Sequence, residues 1–343
     1  MSYWGYYIPA KAWLGKQPSK DDESSKYLTD ENFDISQLSD IVHEKELTSG
    51  ISVRSYCDGL ILFDFQNAPD FVNESAAEDL SSFEKSALLR LERTDVLNAH
   101  VVCLRQSLSL LQNWGLPFQS ITPHDLLQHS TDDDGRIGVG FKSDRDADLH
   151  MARYASSYNS QVPKTFDRRI QGRFLIIENE TLEDSFLRLD DLLSNKPSKV
   201  HRLVALYDFT TVSLQDHDYP RSLISAWTII EKLIDEMWIS FIDANRKKTI
   251  NSNEITFINK DRAKKLTGRD YTASVRTEIL SILDIIPFNT YQDIEKIRRV
   301  RTKWMHELND VTMVDAQLAR DIVSDLFKSV YNFGLPKGID MTL

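Results

Sequence analysis

With 343 residues the chain can bury a substantial core, and its length favours about two domains. A hydrophobic content of 41% with 27% charged residues excludes a disordered or fibrous chain, and apolar runs as short as Gly59 to Phe63 and Val101 to Leu104 exclude a membrane-spanning helix. The net charge of −11 excludes a protein that coats nucleic acid indiscriminately, because its average surface repels phosphate.

Met1-Ser2-Tyr3-Trp4 lacks the basic segment and apolar run of a secretory signal, and only Cys57 and Cys103 are present for disulfides, so a reducing cytoplasm is expected. The first 75 residues read as irregular, with Pro9, Pro18 and a polar stretch from Ser19 to Ser25, followed by an extended run from Ile51 to Phe65. Within that run, Gly59 to Phe65 reads as a buried strand. From Ser81 to Trp114 apolar residues recur at helical steps (Phe83, Leu88, Leu91, Val96, Leu97, Val101, Leu104, Leu108, Leu111), as one helix or two broken near Thr94. Gly115 and Pro117 stop it. Short strands are expected at Ile137 to Phe141 and Arg173 to Glu178, the first inside a polar, acidic segment.

From Leu182 onward the strand signals vanish. Helices are expected at Leu182 to Ser194, Lys199 to Leu214, Pro220 to Asn245, Ser274 to Ile286, Tyr291 to Leu308 and Val314 to Phe333. The third has a clear entrance, because Asp218 can cap it and Pro220 stands in the first turn, where its missing N–H costs nothing. A basic connector, Arg246 to Arg269, precedes the fourth. The expected fold is therefore an α+β accessory or sensor domain over residues 1–181, followed by an all-α bundle of four to five helices over 182–343.

The charge is unevenly distributed. Ile242 to His306 carries 14 Lys and Arg against 8 Asp and Glu, while acidity gathers in Asp21-Asp22-Glu23, Asp132-Asp133-Asp134 and Asp144 to Asp148. A basic surface on an acidic protein could bind RNA in a restricted place, and a solvated helical face would look the same in sequence. Near the end of the basic stretch, Arg301-Thr302-Lys303-Trp304-Met305-His306 joins a permanently charged guanidinium to an imidazole, the side chain suited to proton transfer near neutrality. The spacing alone carries little weight, since Arg93 with His100 and Arg145 with His150 also satisfy it.

Position separates the three pairs. The helix around Leu203-Val204-Ala205-Leu206, the helix Ser222 to Leu233 and the closing stretch Ile294 to Glu307 resemble the HEPN superfamily, specifically its ApeA-like branch of prokaryotic defence and toxin proteins. The resemblance covers roughly residues 196–335. In that family an Arg and a His four to six residues apart end the third helix, just before the turn into the last, where Arg301 and His306 stand. Thr302 departs from the pattern, since Asn, Asp or His usually follows the arginine.

What the resemblance implies is an HEPN-like bundle and an endoribonuclease of antiviral defence or toxin-antitoxin type, needing neither metal nor other cofactor. His306 would act as general base or acid and Arg301 would hold the phosphate. Thr302 and Glu231 would support them; helical geometry adds Arg299, seven residues before His306 and so nearly on its face, as second to Arg301, which lies about 140 degrees round the axis, and the basic stretch offers Arg298, Lys303, Lys264 and Lys265 as RNA contacts. One motif per chain is half a site, which implies a homodimer formed through the C-terminal bundle. A nuclease must be restrained in its host, so an inhibitory or sensor protein partner is also expected. The alternative is a non-catalytic HEPN-like module that dimerises or docks a partner. Trp304 reads as core. Asp144, Asp146, Asp148 and His150 read as an acidic turn rather than a calcium loop, and Gly135, Gly138 and Gly140 form no phosphate-binding fingerprint.

Overall fold

The computed structural model describes residues 2–8, 12–19, 34, 36–37, 40–68, 81–113, 120–123, 127–131, 137–140, 175–196, 199–250 and 253–336. The chain divides into two compact units, Met1–Asp208 and Phe209–Lys337. The first is α+β and the second almost wholly helical.

The strands of the first unit are β1 (Ser2–Tyr7), β2 (Ala12–Leu14), β3 (Ile41–Glu46), β4 (Ser52–Tyr56), β5 (Leu60–Asp64), β6 (Leu127–Thr131), β7 (Ile137–Gly140) and β8 (Leu175–Ile177). Six form one antiparallel sheet in the order β3-β4-β5-β1-β6-β7, and β2 pairs with β8 in parallel. Strands β4 and β5 fall in the expected extended run from Ile51 to Phe65, whereas β1, β2 and β3 lie in the stretch read as irregular. Strand β1 escaped the period-two signature because Tyr3, Trp4, Tyr6 and Tyr7 are all buried, on both faces of the sheet. Strand β3 escaped it for the opposite reason, being a polar edge strand.

Helix α1 (Ser82–Ser107) begins at a capping box between Ser81 and Glu84 and runs unbroken past Thr94, whose hydroxyl donates to the Arg90 carbonyl at 2.8 Å. A π-helical turn, Leu108–Gln112, ends it. Its C-terminal half is buried through Val96, Leu97, Val101, Leu104 and Leu108, whereas Phe83, Leu88 and Leu91, expected on the same apolar face, are exposed.

Helix α2 (Asn179–Ser194) packs on α1 and also touches β3. It buries Leu182, Phe186 and Leu189, and Asp190 accepts hydrogen bonds from the Thr48 N–H and hydroxyl at 3.0 and 2.9 Å. The sequence reading placed this helix at the head of the bundle, but these contacts hold it in the first unit. The division instead falls inside α3 (Val200–Gln215).

The second unit is built round α4 (Tyr219–Ala244). The Asp218 side chain accepts from the Arg221 N–H at 3.2 Å, Pro220 lies in the first turn, and Leu223, Ala226, Trp227, Ile230, Leu233, Ile234 and Trp238 bury one face. The connector that follows is not purely irregular. It contains an antiparallel hairpin, β9 (Lys247–Ile250) with β10 (Asn253–Thr256), and a short helix, α5 (Lys260–Leu266). Helices α6 (Ala273–Ile282), α7 (Phe288–Glu307) and α8 (Met313–Tyr331) complete the unit. α8 lies along α4, and α7 packs on α4, α6 and α8. A Thr312–Asp315 capping box opens α8. No helix among the described residues is long and apolar enough to cross a membrane.

Candidate active site

Helix α7 is held by Ile294 and Ile297, both fully buried. Continuing their stripe by helical steps of four and three reaches Arg301 and Trp304, and these are the half-buried residues of the last two turns. The Arg301 Nε is buried and has no hydrogen-bond partner among the described residues. A buried donor in that state is a place where an acceptor would be stabilised. Trp304, expected in the core, is half-buried, and its carbonyl accepts from Leu308, whose left-handed conformation (φ 54°) closes the helix.

His306 lies in the last turn, exposed, about 140 degrees round the axis from Arg301. The exposed residues nearest its azimuth are Arg299, Thr302 and Lys303, at seven, four and three positions before it. Within one chain, therefore, α7 gathers Arg299, Thr302, Lys303 and His306 on a solvent-facing stripe and turns Arg301 inward. The Thr302 hydroxyl donates to the Arg298 carbonyl at 2.8 Å, so its proton is engaged within the helix.

Of the residues expected to contact RNA, Arg298 is already committed. Its Nε and Nη2 donate to Glu295 at 3.0 and 2.7 Å, and that pairing holds the Glu295 carboxyl below its usual range. Lys264 and Lys265 stand in the last turn of α5, exposed. Glu231 is exposed on α4 and forms no hydrogen bond or ion pair with the other described residues, so nothing there lets it orient Arg301 or His306.

The competing Arg/His pairs differ in character. His100 is fully buried, sharing hydrogen bonds with the Tyr6 hydroxyl at 2.8 Å and the Ser185 hydroxyl at 3.1 Å, and it stacks on Phe186 at 4.4 Å. Burial lowers its pKa to about 3, which keeps it neutral and structural. The Arg93 guanidinium lies over the rings of Trp4 and Phe65 at 4.6 and 5.3 Å. His150, with Asp144 to Asp148 and Gly135, falls outside the described residues. Among the described residues no group of three or more His, Cys, Asp or Glu is arranged to hold a metal.

Sequence reasoning did not single out the apolar rim of this site. Met305, Leu308 and Val314, at the end of α7 and the start of α8, are 48%, 80% and 65% exposed. Large apolar residues at the facing ends of two helices, off their buried stripes, are the available signal. The chain was compared with known protein families, with curated proteins and with solved structures, and it matches none of them.

Proposed function

We propose that the chain is an HEPN-like endoribonuclease that cuts RNA by attack of a ribose 2'-hydroxyl on the adjacent phosphorus. In that reaction the bond to the 5'-oxygen breaks, leaving a 2',3'-cyclic phosphate and a 5'-hydroxyl. One His306 takes the proton from the attacking hydroxyl and a second His306, from another copy of the chain, gives one to the leaving oxygen. Arg301 offsets the charge developing on the phosphate oxygens.

The observation that carries this reading is Arg301 itself. A guanidinium Nε is buried without an acceptor among the described residues, five residues before an exposed imidazole, at the end of a basic helix that precedes the last helix of the unit. Because the two side chains diverge by about 140 degrees on one helix, a working site draws on two chains. The exposed Met305, Leu308 and Val314, at the end of α7 and the start of α8, supply apolar surface for such a homodimer. The biological setting that fits is antiviral defence or a toxin under the control of an inhibitory or sensor partner.

A non-catalytic HEPN-like dimerisation module is the second reading, favoured by the engagement of Thr302 with its own helix and by the isolation of Glu231. RNA cleavage in EDTA by wild type and His306→Ala separates the two. Loss of about 10²- to 10⁴-fold in the variant supports catalysis. Absent wild-type activity, or activity unchanged in the variant, leaves only the module.

A further inference from the structure

The hairpin β9–β10 and helix α5 form a basic arm inserted between α4 and α6. Residues 246–269 carry eight Lys and Arg against two Asp and Glu, in a chain whose net charge is −11. Helix α5 buries no residue, and Lys247, Lys248, Thr249, Glu254, Ile255 and Thr256 of the hairpin are exposed. So short a helix and a lone hairpin are marginal in water by themselves, and among the described side chains neither buries an apolar face.

What holds the arm is its base. The Phe257 and Ile258 N–H groups both donate to the Arg246 carbonyl, at 2.8 and 3.1 Å, and Ile258 is buried. At the other end the Trp238 indole N–H donates to the Leu266 carbonyl at 2.8 Å, and its ring stacks on Tyr271 at 5.7 Å. The charges are thus displayed from a fixed platform. Among the described residues Lys260, Lys264, Lys265 and Arg269 form no ion pair.

We infer that this arm docks the phosphate backbone of base-paired RNA. The inference rests on the ribonuclease reading for the choice of RNA as the polyanion, and it adds the class of RNA and the surface that holds it. Ile255 is the one large apolar residue exposed on the arm's described part, which leaves little for the apolar core of a protein interface. Single-stranded RNA is gripped by stacking bases on free aromatic faces. The arm's only aromatic residue, Phe257, is already engaged by the Lys248 ammonium at 4.2 Å and the Arg262 guanidinium at 4.6 Å. Flexible point charges with no stacking platform suit phosphates along a duplex, read by shape and charge rather than base identity.

The test is binding of a labelled long-stem hairpin RNA to the full-length chain by fluorescence anisotropy across a salt series, with His306→Ala as the uncut background. Two arm variants are compared: Lys264→Gln with Lys265→Gln, and Lys248→Gln alone. Because these side chains are exposed, circular dichroism should be unchanged. The expected result is about tenfold or greater weakening in the double variant, with a salt dependence shallower by roughly one to two phosphate contacts, a smaller effect of the same kind for Lys248→Gln, and weaker binding of single-stranded RNA by the unaltered arm. Equal affinity and equal salt slope in both variants would overturn the inference, as would single-stranded RNA binding as tightly as the stem, or an acidic polyglutamate peptide binding where RNA does not. The two proposals fail separately. Arm-dependent binding without cleavage by the wild type removes the nuclease and leaves the docking surface, whereas cleavage with arm-independent binding does the reverse.

Discussion

Arg299 and His306 lie on one exposed stripe of α7, seven residues and nearly two full turns apart, while Arg301 is directed toward the bundle. The two arginines therefore have different opportunities. Arg299 can reach a phosphate already beside His306 of its own chain, whereas Arg301, half-buried with its Nε turned inward, serves one held between two copies only when its side chain swings out.

Single-turnover cleavage in EDTA should distinguish them. Under the composite-dimer arrangement Arg301→Ala is expected to lower the rate by about 10²- to 10³-fold, the scale of losing a donor aimed at developing charge. Arg299→Ala should cost roughly tenfold, as an exposed, screened contact would. A reversed order would move the phosphate clamp to Arg299 and remove the need for a second chain to supply it.

Much of the helical half was legible because its signals are local. Asp218 and Pro220 announce the start of α4, Pro287 separates α6 from α7, and the stripe of Ile294, Ile297 and Arg301 follows from 3.6-residue periodicity. The sheet was less legible, since β1 is buried on both faces and β3 is polar, so neither alternates apolar with polar. The hairpin β9–β10 has no such signal, because nothing in Lys-Lys-Thr-Ile or Asn-Glu-Ile-Thr records burial and the sequence between them, Asn-Ser, is not of the Asn-Gly type. As for the candidate site, its residues could be named from sequence. Their azimuths could be partly foreseen. That Arg298 would be bound to Glu295 and Thr302 to its own helix depends on side-chain geometry.

The ion pair between Arg105 and Asp208 is buried, with side chains 8% and 0% exposed and 2.9 Å between Nη1 and Oδ1. Ser120 donates to the second carboxylate oxygen at 2.5 Å. Burial raises the Asp208 pKa, and Arg105 and then Ser120 oppose that rise. Removing the cation leaves a desolvated carboxylate, so Arg105→Met is expected to destabilise by about 3–5 kcal/mol. Denaturant unfolding of the full chain would measure it. A loss below about 1 kcal/mol would mean that the site admits water or that Asp208 takes up a proton readily.

Gly5 faces a different constraint. It pairs with Leu62 in the middle of the sheet, and a Cβ built there would stand 2.4 Å from the Ile61 carbonyl oxygen. Backbone on both sides of the contact cannot step aside as a side-chain end would. Gly5→Ala is expected to cost about 1–3 kcal/mol through displacement of β1 from β5, despite the alanine's lower entropic penalty. A melting temperature equal to wild type would show that the two strands separate more easily than their register implies.

His100 makes stability depend on pH with a definite sign. Burial, followed by the nearby His43 charge, lowers its pKa from 6.5 to about 3. Between those values the unfolded chain binds a proton that the folded chain refuses, so stability rises with pH across this window. The contribution is fully present above pH 6.5 and is lost as pH falls toward 3, at up to about 1.4 kcal/mol per pH unit. His201, lowered to about 4 chiefly by burial, acts in the same direction. Asp95 opposes both, because burial raises it from 3.8 to about 6 against the pull of Arg202, and its protonated form favours the fold within that range. A comparison that cancels the other groups isolates His100. Gln at this position retains an acceptor and a donor for Tyr6 and Ser185 but cannot take a proton, so His100→Gln should lose stability relative to wild type at pH 7 and close that gap as pH falls from 6.5 to 4. Unfolding free energies of the two proteins over that range provide the check, and a gap independent of pH would mean that the imidazole is protonated equally in the folded and unfolded chains.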